Sequence, residues 1–343
     1  MKSGKKLNML VGALLAGVII AALTAATPSR SQEAADDPLP SWHNGPTKQA
    51  ILGFVRQVTD KSGPQYVKPA ERIAAFDDGG TLWTEWPIHV NHIQVVFARQ
   101  RIKEMTQKHE DWKYRQPFKA ILENDDKELA IRLKNLWNVM DLLRETHGGM
   151  TVDEFSATVR AFLATAKHPK YKVPYTQVAY VPMLELLALL RANEFKIFIV
   201  TGSGTDFIRE LSEEVYGIPR ENVIGSGPEY EYKETPKGGY LARKLNIDTF
   251  NLRTAKAENI QLHIGRRPIL VAGNTDGDLA MMGLAAGGKN PFLNLLLRHD
   301  DAEREFAYED ETEKAIEAAR SRAWTIISMK NDFKVVFAFQ KKK

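Results

Sequence analysis

The sequence predicts an α/β protein built on a mostly parallel sheet, and three observations carry that prediction. Short apolar runs at Ile73-Ala74-Ala75-Phe76, Lys196 to Val200 and Pro268 to Ala272 read as strands buried on both faces. Each run ends abruptly in a polar, glycine-containing turn. Segments of helical periodicity alternate with them, which implies right-handed βαβ units. Ligands bind such sheets beyond the carboxyl ends of the strands, so the three turns are expected to converge on one site.

At 343 residues the chain can bury one large core or a core with an insertion. Of its formal charge of +4, Lys2, Lys5, Lys6 and Arg30 all precede the first acidic residue, Glu33; beyond them stand 43 basic and 43 acidic side chains. That balance argues against nucleic-acid and anionic-membrane partners, which select a basic footprint. The absence of cysteine excludes disulfides, thiolate metal sites and a cysteine nucleophile. Three lysines before the uncharged apolar run Met9 to Ala26 read as a secretory signal peptide, residues 1–31, which implies a periplasmic or secreted protein. An uncleaved leader would instead anchor it in the inner membrane, since about 20 apolar residues span a bilayer.

A flexible linker rich in Pro, Ser and Asp is expected over 32–46, then a helix from Thr47 to Thr59 burying Ile51, Phe54, Val55 and Val58. After the first strand the character changes. Residues 86–175 carry amphipathic runs at Val90 to His109, Pro117 to Leu122, Lys127 to Thr146 and Thr151 to Thr165, the last opening with a capping box at Thr151 and Glu154. This is a helical insertion dividing a core of residues 47–85 and 176–343, and its apolar stripes are core packing. The alternation then resumes: a helix from Pro182 to Asn193, the second strand, a helix near Asp206 to Tyr216, a strand at Val223 to Gly225, and hairpins to about Leu241. A helix carrying Lys256, the third strand, a strand at Phe292 to Leu297, a helix from Glu311 to Arg322 and a terminal segment Trp324 to Ser328 complete the chain.

The three strand ends carry Asp77, Thr201 and the pair Asp276 and Asp278. A carboxylate nucleophile, a hydroxyl in an amide-rich turn, a lysine and an acidic cluster are what phosphoryl transfer needs: an attacking oxygen, donors for the phosphoryl oxygens and an oxygen site for Mg²⁺. Each element has a plainer alternative. Asp77-Asp78-Gly79-Gly80 suits a surface turn, Lys256 a solvated helix face, Thr201 a turn hydroxyl, and one of Asp276 and Asp278 a helix cap.

In these residues the sequence resembles the haloacid dehalogenase superfamily, in particular exported bacterial members whose first motif reads Phe-Asp-Asn-Asp-Gly-Thr-Leu-Trp. Phe76 to Trp83 is similar to motif one, Ile199 to Gly204 to motif two, Lys256 to motif three and Gly273 to Asp278 to motif four; His299 to Glu305 and Ser328 to Asp332 also resemble that subgroup. The resemblance implies a Rossmann-like parallel core with a helical cap domain inserted at 86–175. It implies Asp77 as nucleophile, Thr201 on a phosphoryl oxygen and Lys256 as charge neutraliser, with Gly80, Gly202 and Ser203 around the substrate. It further implies Mg²⁺ held among Asp77, the Gly79 carbonyl, Asn274, Asp276 and Asp278, and a small phosphorylated substrate.

The departure is Gly79, where the family's phosphatases carry a second Asp as general acid and base. Thr81 fixes the register, so Asp78 occupies the intervening position and, by strand alternation, faces away. The expectation is a Mg²⁺-dependent phosphatase working through an aspartyl-phosphate, impaired at this step, which Gly79→Asp would improve. Two alternatives stand beside it: a catalytically degenerate protein binding a phosphorylated ligand or a partner, and a metal-independent 2-haloacid dehalogenase, against which the acidic motif four argues.

Overall fold

A computed structural model of the chain describes residues 37–86 and 92–342. The expected leader, 1–31, and residues 32–36 of the expected linker lie outside them. Among the described residues no helix is long and apolar enough to cross a membrane.

Seven strands form one sheet: β1 (Ile73–Phe76), β2 (Lys196–Gly204), β3 (Val223–Thr235), β4 (Gly238–Thr249), β5 (Leu270–Gly273), β6 (Leu293–Arg298) and β7 (Thr325–Ser328). Their order is β4-β3-β2-β1-β5-β6-β7, parallel throughout except for the β3–β4 hairpin. The chain winds outward from β1 to one edge and then returns to the other side of β1, so β1 lies at the topological switch point. Phe76 is level with Ile199 of β2 and Ala272 of β5, which brings Asp77, the Thr201 segment and the Gly273 turn to one end of three adjacent strands.

All four residues of β1 are buried, as a strand covered on both faces requires. Phe76 packs into one core with Trp83, Leu186 and Phe207, Ala75 into another with Val200, Val271 and Met281. The covering helices are α1 (Pro46–Thr59), α2 (His92–Met105), α3 (Phe118–Glu123), α4 (Asp126–Leu133), α5 (Leu136–His147), α6 (Val152–Thr165), α7 (Val181–Ala192), α8 (Thr205–Tyr216), α9 (Thr254–Ile264), α10 (Leu279–Ala286) and α11 (Glu313–Ser321). Helices α2 to α6 make up the long segment between β1 and β2, and the Thr151–Glu154 capping box opens α6.

Four features differ from expectation. The packed chain starts earlier than residue 46: Leu39 and Trp42 are fully buried, and the Trp42 ring lies edge-on to Phe333 at 4.8 Å. The helix expected over Lys127 to Thr146 is two helices, broken where the Asn135 side chain accepts from Trp137 N and caps α5. Strand β2 runs on through the glycine-rich segment to Gly204, with an irregularity in its pairing to β3 between Val200 and Gly204. The polar region after Ile224 is one long two-stranded hairpin.

Two sets of contacts, among others, fasten the helical segment to the core. Gly149 N donates to Arg243 O and Arg243 N to Met150 O, stitching the α5–α6 turn to β4. The Phe97 ring of α2 meets Phe155 and Phe162 of α6 and Phe207 of α8 at 5.9, 5.3 and 5.6 Å, all edge-on. Phe97→Ala removes the ring shared by all three, and the expected loss is about 3–5 kcal/mol of unfolding free energy, read from the midpoint of urea denaturation. A change of under about 1 kcal/mol would mean that the ring is not an anchor of the segment.

Candidate active site

The site is held by one buried lysine. Lys256 Nζ, from the first turn of α9, donates to Asp77 Oδ1 at 2.7 Å and to Asp278 Oδ1 at 2.6 Å. Lys256 and Asp278 are 4% and 0% exposed, so the ammonium is the counter-charge that lets two carboxylates share a dry site. Burial pushes the Asp77 carboxyl up, to about 8, against the opposing pull of Lys256 and with the help of Asp278. Burial also works against the Lys256 ammonium, but Asp278 and Asp77 outweigh it and hold it above the ordinary lysine range. We take the ammonium as the fixed charge, because both of its partners lie within hydrogen-bond distance.

Backbone geometry explains why these residue types stand here. Asp77 N donates to Ala272 O across the β1–β5 boundary. Asp278 folds back so that Oδ2 accepts from Asn274 N at 2.9 Å and Thr275 N at 3.1 Å. A Cβ on Gly273 would lie 2.5 Å from Asp278 Cγ, so only glycine leaves room for that fold-back. Thr201 Oγ1 accepts from Ser203 N at 3.1 Å, which leaves the hydroxyl proton for an outside acceptor. Asn251 holds that strand end by donating to Thr201 O and Ile224 O.

Gly80 has φ +73°, and a Cβ there would lie 2.1 Å from Asn274 Nδ2 and 2.6 Å from Glu85 Oε1. The turn is pinned from below by His299, whose Nε2 donates to Gly80 O at 2.7 Å while Nδ1 faces Glu305 Oε2 at 3.3 Å. Glu305 also accepts from Thr84 and Tyr180. Tyr308 stacks on the His299 ring at 4.3 Å and donates to Glu85 Oε1 at 2.5 Å.

Asp77, Lys256 and Asp278 therefore meet, with Thr201 on the neighbouring strand end. Asn274 adjoins them, its amide taken up by Thr81 at 3.1 Å and Glu85 at 3.1 Å. Asp276, grouped with Asp278 from the sequence, is drawn elsewhere: its Oδ1 accepts from Ala315 N in the first turn of α11, and its own N–H donates to Glu311 O. Through Oδ1 it serves as a helix cap in this fold. Gly202 packs against Leu252 and its carbonyl accepts from Ser226 Oγ at 2.8 Å; the Ser203 side chain is 4% exposed. Asp78 Oδ1 accepts from Tyr216 OH at 2.8 Å, apart from the Lys256 clamp.

Among the described residues no cluster of three His, Cys, Asp or Glu side chains forms a metal centre. The donors near Asp77 are all oxygens, namely two carboxylates with the Asn274 amide and the Gly79 carbonyl in the adjoining turns, and that chemistry fits Mg²⁺, which binds few protein ligands and keeps waters.

Sequence reasoning missed Glu85. A Cβ on Gly79 would have Glu85 Oε2 as its nearest neighbour at 3.4 Å, so the Glu85 carboxylate lies over the place where the family carries its second Asp. Nothing in the spacing from Asp77 marks it. His299 and Glu305 stood in a segment noted for resemblance, but only the fold shows that they hold the Gly80 carbonyl.

A family model described as haloacid dehalogenase-like hydrolase matches residues 101–283, more than half of the chain. No match is found among curated proteins. Among solved structures, a conserved protein of unknown function from Anaerococcus prevotii is 16% identical, covering 82% of this chain and 91% of its own with a TM-score of 0.47. A phosphoserine phosphohydrolase-like protein from Francisella tularensis is 15% identical over 75% and 94%, TM-score 0.38. A probable phosphoserine phosphatase from Vibrio cholerae is 14% identical over 81% and 65%, TM-score 0.37.

The His299–Glu305 pair makes the turn sensitive to pH. Burial works against a charged His299, yet Glu305, Glu85 and the Gly80 carbonyl outweigh it and raise the ring above its ordinary value. Burial likewise works against a charged Glu305, and His299 with Thr84 holds it below the ordinary carboxylate range. A raised histidine stabilises fully below about pH 6.5 and loses its contribution as pH rises through the folded value; a lowered glutamate stabilises above about pH 4.3 and loses it as pH falls. The difference in unfolding free energy between the unaltered chain and His299→Gln, read from urea denaturation, is therefore expected to peak near pH 5–6.5, at roughly 1–3 kcal/mol, and to narrow above it. A difference that stays flat across this range would mean a ring neutral throughout.

Proposed function

The chain belongs to the haloacid dehalogenase-like hydrolases, and on that premise we propose that it is a Mg²⁺-dependent phosphatase acting on a small phosphate monoester through an aspartyl-phosphate. The observation that carries this proposal is the Lys256 clamp, which joins Asp77 after β1 to Asp278 after β5 at 2.7 and 2.6 Å. A carboxylate beside a fixed ammonium, at the switch point of a parallel sheet, is placed to attack an electrophile carrying negative oxygens.

In the first step an Asp77 oxygen bonds to phosphorus and the ester oxygen leaves with the bonding pair, taking a proton from the Glu85 carboxyl to depart as the free alcohol. In the second, water adds to the same phosphorus and gives a proton back to the Glu85 carboxylate, the Asp77–phosphorus bond breaks, and the Asp77 carboxylate is released with inorganic phosphate. Lys256 balances charge on Asp77 and the transferring group, and the Thr201 hydroxyl donates to a phosphoryl oxygen. A bound divalent cation supplies further neutralisation of the phosphoryl oxygens. The helical segment, expected as a cap over 86–175, is proposed to supply the contacts to the alcohol.

Asp77→Asn is expected to bring Mg²⁺-dependent phosphate release from an aryl phosphate to background and to remove the acid-stable phosphate adduct from the peptide containing residue 77. Asp278→Asn should weaken Mn²⁺ binding tenfold or more by paramagnetic resonance. Phosphate binding without any Asp77-dependent release would identify the protein as a phospho-ligand binder, and halide release from 2-haloacids without metal would identify a dehalogenase.

Glu85 changes what is expected at Gly79. An aspartate there would bring a second carboxylate against that of Glu85, so Gly79→Asp alone should not raise turnover. Glu85→Gln is expected to lower kcat by roughly 10²- to 10⁴-fold, most for poor leaving groups, and Gly79→Asp in that background to recover part of the loss. An unchanged kcat in Glu85→Gln would remove the carboxylate over Gly79 from the mechanism.

A further inference from the structure

Strand β2 departs from its regular pairing with β3 between Val200 and Gly204, the stretch that carries Thr201. Where a ladder is interrupted, its buried carbonyls must be met by other donors. Here one side chain meets two of them. Asn251, fully buried in the loop after β4, donates from Nδ2 to Thr201 O of β2 at 2.9 Å and to Ile224 O of β3 at 3.1 Å. An amide NH2 has two protons, one for each carbonyl, and this also fixes which end of the side chain is the nitrogen. The Asn251 backbone N–H donates to Ser226 Oγ at 3.0 Å, and that hydroxyl donates to Gly202 O at 2.8 Å. Two successive carbonyls of β2 are thereby held, and with them the planes of the peptides that follow Thr201 and Gly202.

With Nδ2 taken up by carbonyls, Asn251 Oδ1 is the acceptor, and its donor is Asn259 Nδ2 at 3.0 Å. Asn259 lies on α9 three residues beyond Lys256, and both are buried, so the two side chains are neighbours on one covered face of that helix. The bridge from Thr201 through Asn251 to Asn259 therefore joins the strand end that carries the hydroxyl to the helix that carries the ammonium.

The chain between Asn251 and Lys256 is tightly turned. Leu252 lies against Gly202, where a Cβ would come within 2.5 Å of its Cδ2. Arg253 has φ +55° and ψ −117°, a conformation that L residues avoid, and its turn is closed by Ala255 N donating to Leu252 O at 3.1 Å. Holding a non-glycine residue there costs on the order of 1–3 kcal/mol, so the surrounding contacts must over-determine the path into α9. The Asn251 bridge on one side of the turn and the buried face of α9 on the other are such contacts.

We propose that Asn251 and Asn259 are positioning residues for the phosphoryl site, which hold the Thr201 hydroxyl and the Lys256 ammonium at one fixed separation so that both act on the same transferring group. The proposal rests on the phosphatase assignment for the identity of that group. Both amide protons and the amide oxygen of Asn251 are taken by protein, so it acts through Thr201 and α9 rather than on substrate. A displaced donor chiefly loses its fit to the transition state, so kcat is the parameter that should fall.

The test uses the full chain with Mg²⁺ and a double-mutant cycle between Asn259 and Thr201, read on hydrolysis of 4-nitrophenyl phosphate and on orthovanadate binding by calorimetry. Asn259→Leu is expected to lower kcat about tenfold with KM moved less than about threefold, and to weaken vanadate binding about tenfold. In a Thr201→Val background, where the hydroxyl to be placed is gone, the same change should cost less than about threefold in both measurements. An asparagine that only supports the fold would cost the same factor in both backgrounds; that result, or an unchanged kcat in Asn259→Leu, would overturn the proposal. Should Asn259→Leu fail to fold, Asn259→Ala closes the same cycle and is judged by the same outcomes. Coupled vanadate binding without turnover would remove the phosphatase assignment and leave the positioning role standing, whereas turnover with an uncoupled cycle would do the reverse. A chain that neither turns over nor binds vanadate would sink both.

Discussion

Two carboxylates and one ammonium in a dry site form the constraint on which the rest of the structure depends. Asp77 and Asp278 are almost fully buried, and the Lys256 ammonium between them is the counter-charge that both touch. The clamp fixes the end of β1, the first turn of α9 and the turn after β5 against one another. It is also incomplete, because one ammonium cannot neutralise two carboxylates; burial pushes Asp77 up, and the neighbouring Asp278 adds to that push against the pull of Lys256. A site with one acid more than its counter-charge is suited to a further cation and to an electrophile that consumes the carboxylate.

Around the clamp stands a second set of contacts that shapes the turn rather than the charge. Gly80 takes a left-handed conformation, and its carbonyl is held by a histidine from the other end of the chain. Asn274 reaches from motif four to both Thr81 and Glu85, so the two turns that carry Asp77 and Asp278 are locked side by side. The shape of the first turn is therefore decided by residues some two hundred positions away, through hydrogen bonds that survive burial because each has a partner.

Much of this was legible in the sequence, for a physical reason. Buried parallel strands are continuous apolar runs, and the rule that ligands bind at their carboxyl ends turned three runs into one location containing Asp77, Thr201 and Asp278. Lys256 was legible only through resemblance, because a buried lysine and a solvated one look alike in a helix. The bond that Asp276 makes to α11 was not legible, because a capping carboxylate and a ligating one share a composition and no local pattern reveals Ala315 N. The break between α4 and α5 was hidden because the leucine stripe runs through it while Asn135 caps. Glu85 was invisible for a stronger reason, since its place is defined by a side chain that Gly79 lacks.

That last point bears on how the first motif is to be understood. Taken alone, Gly79 is a missing functional group. In the fold it is half of an arrangement, because the volume beside it is occupied by the Glu85 carboxylate, itself fixed through Oε1 by Tyr308 and Asn274. The fixing partners trace back through Tyr308 to His299, and through His299 to the Gly80 carbonyl. The residue next to the glycine and the carboxylate above it are thus positioned by one connected set of contacts. In this chain Lys256 holds the nucleophile directly, while Asn274, bonded to both Thr81 and Glu85, ties the carboxylate beside Gly79 to the nucleophile's own turn.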